Sequence, residues 1–380
     1  MRGGTFCPMH ELSRRTALVG LLGTGVAVAG CSGQPASSTP PVEAPSATPT
    51  ATPSTDAPPR WPLSGKLLKD PADAKHAAVA VKVPDNRNEH PQRGLDQADI
   101  VFVELDGYRD NSGYSGTRLV PVFHSSMPDA VGPVRSIRPV DIPLLSPLHA
   151  IIGNTGATGW VLKYVQEFDS YIEGMLSYMN TKGTGSYSID SSRIRVLNGV
   201  RYYDRAVVCH PAVLAKQTKK FRDGPPQMYF PFGDAEAAST VDGDKVKTIS
   251  VPWKSGNSYN MSYTWNASSG TWLRSMPWGP HVLAGGKRVA PNNVMVISAR
   301  QHYEKLRSGS GHDEPIHDII DTSGPFHYFQ GGRYVTGTWS KGDVSEPFSF
   351  ALDDGSPLVM APGQTYVELP DKKAKIVIKS

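Results

Sequence analysis

The stretch TRLVPVFHSSMPDAVGPVRSIRP, residues 117–139, carries the reading of this chain. Residues 118–124 read as a strand by their apolar and β-branched content, and a turn follows around 127–130. A second extended piece ends in Arg135 and Arg138, framed by Pro133 and Pro139. With Arg118, that places three arginines close to two strand ends. Guanidiniums carry a permanent charge and a planar fork of donors, so such a cluster suits a phosphate or a carboxylate. The same arginines would brace the domain if they paired with Asp99, Glu104, Asp129 or Asp141, and both readings stand on the sequence.

Working outward, residues 77–83 and 99–105 (AAVAVKV and DIVFVEL) are two further strands. Downstream, 141–148 is broken by proline and reads as a short helical turn. Residues 150–152 form a short apolar strand, and the loop Gly153-Asn154-Thr155-Gly156-Ala157-Thr158-Gly159 leads into a helix. That helix shows Val161, Tyr164, Val165 and Phe168 at i, i+3, i+4, i+7 spacing. Strands mixed with helices give an α/β domain over 61–222. The Gly-x-x-Gly-x-x-Gly spacing is neither a dinucleotide fingerprint nor a Walker A loop. A strand, a glycine loop and a helix start still offer free N–H groups to an anion. The candidate ligand-binding residues are therefore Arg118, Arg135, Arg138, Gly153, Asn154 and Gly156, with Arg193 from the loop SIDSSRIR. Asp99 and Glu104 are the candidate catalytic carboxylates.

Residues 223–245 are rich in Pro, Gly and Asp and read as a linker. From 246 to 380 the pattern is a mainly antiparallel β domain. Its strands are 247–251, 259–265, 271–273, 293–298, 347–352, 365–369 and 374–378. A hairpin joins 326–330 to 333–339 through Gly331-Gly332, which supply the positive φ of a tight turn. His312, Asp313, Glu314, His317 and Asp318 gather in one loop; they lack the spacing that sets two imidazoles on one helix face, so no metal is assigned. Trp253, Trp265, Trp272 and Trp278 suit either sugar stacking or hairpin packing.

The chain's beginning speaks of export. Arg14-Arg15 precede an uncharged run over 17–29, too short to span a bilayer, as in a twin-arginine-like signal peptide over 1–30. Val28-Ala29-Gly30-Cys31 resembles a lipobox, which would make Cys31 the acylated, palmitate-bearing N-terminus. Cys31 and the Pro/Ser/Thr/Ala stretch up to 60, with eight prolines and no aromatic residue, form a tether that cannot bury a core. The chain has three cysteines. Cys7 leaves with the signal and Cys31 takes lipid, so Cys209 has no partner for a disulfide and reads as a small buried hydrophobe. The net charge of +4 falls close to balance without the first 30 residues, which argues against nucleic-acid binding and makes any anion site local.

Ala98-Asp99-Ile100-Val101 with Glu104, then Thr117-Arg118, then Val131-Gly132-Pro133-Val134-Arg135-Ser136-Ile137-Arg138-Pro139 resemble the first domain of the YerB-like lipoproteins, a bacterial family of unknown function. Residues 329–339 and Pro362-Gly363-Gln364-Thr365-Tyr366 resemble that family's second domain. Two loops depart from it: Gly153-Asn154-Thr155-Gly156 stands where the family tends to have His-Ala-Gly-Gly-Ser, and Val196-Leu197-Asn198-Gly199 where it tends to have Pro-His-Asn. The resemblance implies a protein on the extracytoplasmic face of the cell membrane, tied to cell-wall synthesis. It names no cofactor and no reaction. The expected activity is binding of an anionic envelope glycan or of a cell-wall synthesis partner. The alternative is an enzyme on polyprenyl-pyrophosphate-linked glycan precursors, by analogy with the LytR-CpsA-Psr ligases; Arg118, Arg135 and Arg138 would then clamp the diphosphate, and Asp99 or Glu104 would hold Mg²⁺ or act as base.

Overall fold

Thr117–Phe123 is buried along its whole length and has strands on both sides. A strand covered on both faces needs an unbroken apolar run rather than an alternating one, and this run supplies it. Ile100–Leu105 pairs antiparallel on one side, and Val79–Val81 with Val83–Pro84 on the other. The ladder lapses between the Ala80–Val122 and Val83–Leu119 pairs, where Pro121 has no N–H to offer. On the opposite edge, where Lys82 N–H donates to Gly153 O, the Lys82 carbonyl accepts from the Arg135 N–H at 2.8 Å, which docks the Gly-Pro-Val-Arg segment onto the sheet.

The computed structural model describes residues 58–107, 116–253 and 259–380. The expected export segment, Cys31 and most of the tether lie outside these residues. Asp56–Ser380 forms one compact unit with its own hydrophobic core. The expected order of an α/β part followed by mainly antiparallel strands is present. In the first part Gly159–Glu167 is the longest helix among the described residues, and it buries Trp160, Val161, Tyr164 and Val165. In the second part, Gly279–Pro280, Thr271–Met276, Asn260–Asn266, Thr248–Pro252 and Val377–Lys379 form a five-stranded antiparallel sheet.

The two parts share one twelve-stranded sheet. Thr365–Glu368, from the C-terminal part, lies parallel between Asn293–Ile297 and Ile100–Leu105. The stretch 223–245, expected as a linker, packs on this body. Tyr229 and Phe230 enter the core, and Asp244–Lys245 pairs with Arg333 and Tyr334 at the sheet edge. Two aromatic side chains outweigh the turn-rich composition around them. Glu314–His317, expected in a loop, is a short strand paired with Gln301–Glu304. A two-stranded sheet has free edges, and Pro315 is tolerated there.

Candidate functional site

The Gly132-Pro133-Val134-Arg135 segment is stitched between two chain stretches. Arg93 N–H donates to Gly132 O at 2.8 Å, and Val134 N–H donates to Val207 O at 2.8 Å. A Cβ on Gly132 would sit 3.1 Å from Val207 O and 3.3 Å from Val208 Cα, so glycine permits this close approach. The stitching leaves a cleft of about 380 Å³ lined by Arg93, Arg193, Arg195 and Arg205, with His90 and Asp190. Arg135 stands beside it, paired with Glu89 and 3.6 Å from Asp204. Arg193 ties the walls together by donating to the carbonyls of Arg205 (2.9 Å), Pro91 (2.7 Å) and Glu89 (2.5 Å).

Five guanidiniums here face three carboxylates. Asp204 serves Arg195 at 2.7 Å and also lies near Arg135 and Arg205, while Asp190 lies 3.6 Å from Arg93. Among the described residues, Arg193 makes no ion pair, and the buried Nε atoms of Arg195 and Arg205 have no hydrogen-bond partner. Burial and the neighbouring Arg195 push the Arg205 guanidinium below its ordinary range. Burial lowers Arg135 as well, with Arg205 and Arg195 adding to it against the pull of Asp204. Arginine does not give up its proton in proteins, so these guanidiniums stay charged despite the crowding. Asp204 is held low by Arg195, Arg135 and Arg205 against the upward push of burial, and it stays a carboxylate.

Of the sequence-expected residues, Arg193 lines the cleft and Arg135 borders it. Arg118 and Arg138 lie in a different place, a buried ionic network. Glu104 and Arg118 are register partners on adjacent strands, which sets their side chains on one face. Arg118 pairs with Asp106 and donates to Ser136 O at 2.8 Å. Arg138 donates to Asp106 O at 2.8 Å and lies 3.4 Å from Glu314. Lys82 holds Glu104 and, at 2.6 Å, Asp141, all three fully buried. One ammonium cannot neutralise two carboxylates. Burial and Asp141 push Glu104 up to about 8, with Lys82 opposing.

The folded chain therefore holds the Glu104 proton more tightly than the unfolded chain does. The stability it contributes is whole below the ordinary value of 4.5 and is lost as pH rises through about 8. Glu104→Gln should remove this dependence. In urea titrations across that window, wild type is expected to lose stability relative to the variant by up to about 1.4 kcal/mol per pH unit. Parallel curves would refute the assignment.

Asp99 immediately precedes the strand that carries Glu104, roughly 16 Å from it at about 3.3 Å per residue. It accepts from the backbone N–H groups of His124 (2.8 Å) and Ser125 (2.7 Å), and so closes the turn after Phe123. The Gly153 loop spends its donors internally. Asn154 bridges Ile152 O and Gly174 O and accepts from Gly156 N–H, its own N–H meets Tyr187 Oη, and Thr155 N–H donates to Arg135 O. The helix start after Thr158 is met by Ser310 O at 3.2 Å. The loop thus positions the arginine segment rather than presenting open N–H groups. Cys209 is buried, and burial pushes its thiol up. Trp272 is core, Trp253 is buried and donates to Glu368 at 2.7 Å, and Trp265 packs on Trp272.

Asp85, His90 and His281 bring their side-chain ligand atoms close together. Their lone pairs are already used. Arg274 donates to Asp85 at 2.8 Å and to His281 Nδ1 at 2.6 Å, and Thr117 Oγ1 donates to Asp85 at 2.9 Å. The cation at this point is the chain's own guanidinium, and the donor set does not fit a metal ion.

Sequence reasoning missed Arg93, Arg195 and Arg205 as members of the site. They lie in separate stretches that carry no motif, and only the pairing of Gly132 with Arg93 and of Val131 with Cys209 draws them together. The run SIDSSRIRVLNGVRYYDR, with four arginines in 18 residues, was the available signal.

Models for the family described as protein of unknown function (DUF3048) match this chain twice, the N-terminal domain over residues 63–205 and the C-terminal domain over 249–367. The candidate lipoprotein YerB of Bacillus subtilis (strain 168) is 25% identical over 326 residues, covering 84% of this chain and 88% of that protein. The crystal structure of the YerB protein from Bacillus subtilis has the same fold, with a TM-score of 0.64 at 21% identity, covering 84% of this chain and 99% of that chain. With both models matched in order and spanning most of its length, the chain belongs to the DUF3048 family.

Proposed function

We propose that this protein is a lipoprotein held at the extracytoplasmic face of the cell membrane through Cys31, and that its arginine cleft binds a phosphate-bearing anionic component of the envelope. The anchoring part is supported by the lipobox-like Val28-Ala29-Gly30-Cys31, by the proline-rich tether and by the name of the Bacillus relative. The binding part is carried by one observation: the cleft holds an excess of guanidiniums over carboxylates, with the buried Nε atoms of Arg195 and Arg205 making no hydrogen bond among the described residues. A binding protein is favoured over a transferase because the carboxylates at the cleft among the described residues, Asp190, Asp204 and Glu89, lie against arginines, and neither Glu104 nor Asp99 is among them. Glu104 is enclosed with Lys82, and Asp99 is engaged by backbone N–H groups.

The test is calorimetric titration of inorganic pyrophosphate into the compact unit Asp56–Ser380. Wild type should bind, more weakly as salt rises. Arg93→Ala/Arg205→Ala should bind on the order of tenfold or more weaker, at about 1.5–3 kcal/mol per lost charge-assisted hydrogen bond. These two residues are chosen because Arg193 braces the cleft walls. Equal affinity in wild type and variant would remove the cleft as the site.

A further inference from the structure

Beside the cleft stands a hairpin made of Arg195–Leu197 and Val200–Tyr202, which pair only with each other. Asn198 and Gly199, both at positive φ, form the two-residue turn that matches strand twist and holds the hairpin in one shape. Its apolar side chains do not enter the core. Val196 is 60% exposed, Leu197 51% and Val200 54%, and Tyr202 and Tyr203 are exposed behind them. The register places Leu197 opposite Val200 next to the turn, and Val196 opposite Arg201 on the other face. Both faces of the tip therefore present branched apolar groups to solvent. A soluble chain rarely leaves such a group together without an occupant for it.

The charge around the tip is of one sign. The run RVLNGVRYY, residues 195–203, has two arginines and no carboxylate. Arg195 lies over the Tyr202 ring at 5.5 Å, and the cleft arginines follow at the base of the hairpin. From tip to base the order is branched aliphatic, then arginine and tyrosine, then a guanidinium-lined cleft. That order matches a bilayer surface entered from the acyl side outward: hydrocarbon, an interfacial layer that suits tyrosine and the long arginine stems, and phosphate headgroups. From Arg195 to the turn the strand covers roughly 10 Å, the depth of the headgroup and upper acyl layer.

We infer that the hairpin at 195–202 and the adjoining arginine cleft form a docking surface for an anionic lipid bilayer, the tip entering the acyl boundary while the cleft takes lipid phosphates. The occupant is chosen on charge complementarity and on the chain's own expected anchor. Residues 32–57, extended at about 3.1 Å per residue, would reach roughly 80 Å, which exceeds the ~50 Å diameter expected of a body this size. Lying against the bilayer on this face is therefore within reach of a chain acylated at Cys31. The inference rests on the reading of the cleft as an anion site and adds the class of partner that carries the anion.

The experiment is co-sedimentation of Asp56–Ser380 with phosphatidylcholine vesicles, with and without phosphatidylglycerol, run beside the pyrophosphate titration. Wild type is expected to sediment with the phosphatidylglycerol vesicles and not with pure phosphatidylcholine. The triple variant Val196→Ser/Leu197→Ser/Val200→Ser should keep its pyrophosphate affinity, which also reports an intact fold, and lose vesicle binding on the order of tenfold or more. Arg93→Ala/Arg205→Ala should lose both. If wild type binds pyrophosphate but ignores anionic vesicles, or if the hairpin variant sediments like wild type, docking on a bilayer is overturned and the cleft reading survives. If wild type binds vesicles through the hairpin but not pyrophosphate, the docking surface stands and the free-anion reading falls.

Discussion

Lys82→Met should destabilise the protein by about 3–5 kcal/mol, because it strands the Asp141 carboxylate in the core, beside a Glu104 that is pushed up to about 8 and so is mainly protonated at neutral pH. All three side chains are fully buried, and Asp141 also accepts from Arg138 N–H at 2.6 Å. Methionine fills similar volume, so the loss reports charge rather than a cavity. The measurement is guanidinium-induced unfolding at neutral pH. Adding Asp141→Asn to Lys82→Met should recover part of the loss, since the amide removes the uncompensated charge. A loss below about 1 kcal/mol in the single variant would mean that solvent or another cation reaches these carboxylates.

Arg274→Met should have an effect of the same size, about 3–5 kcal/mol, for a related reason in a different place. Arg274 sits on the Thr271–Met276 strand, fully buried, 2.8 Å from Asp85 and 3.8 Å from Glu368. Asp85 belongs to the N-terminal part of the chain, and Glu368 to the strand that carries the C-terminal part into the shared sheet. Burial opposes the charge on Asp85, but Arg274, with His90, holds its carboxyl well below the usual range, so removing the guanidinium takes away the main group that offsets burial. Glu368 keeps Trp253 Nε1 at 2.7 Å and Tyr263 Oη at 2.5 Å; Asp85 keeps Thr117 and His90. Those neutral donors compensate only partly for a missing cation. Unfolding of Arg274→Met and of Arg274→Met/Asp85→Asn should differ, the second being the more stable. Equal stability of the two would show that Asp85 is not the group being compensated.

The distinction between these buried networks and the cleft bears on function. Arg118 and Arg138 looked equivalent to Arg135 in the sequence, being part of one arginine-rich motif. In the fold they face the core side of the Gly-Pro-Val-Arg segment, where Asp106, Glu314 and backbone carbonyls take up their donors. Arg135 emerges toward Glu89 and Asp204, at the border of the cleft. Bracing, one of the two readings of the cluster as a whole, describes Arg118 and Arg138, while Arg135 is the member that borders the cleft.

Much of the architecture was legible in the residues. The apolar runs at 79–81, 100–105, 117–123 and 150–153 are strands because only a doubly covered sheet can use them. The spacing of Val161, Tyr164 and Val165 makes a helix with one buried face, and Gly331-Gly332 make the tight turn of a long hairpin. These features are local: periodicity and turn chemistry act within a few residues. The union of the two parts was not legible, because the pairing of Thr365–Glu368 with Ile100–Leu105 joins segments more than 260 residues apart. Nor was the membership of the cleft. Arg93, Arg195 and Arg205 acquire a common field only when Gly132 pairs with Arg93 and Val131 with Cys209. Charge clusters depend on which side chains converge across the sheet, and convergence is a property of long-range contacts that local pattern does not encode.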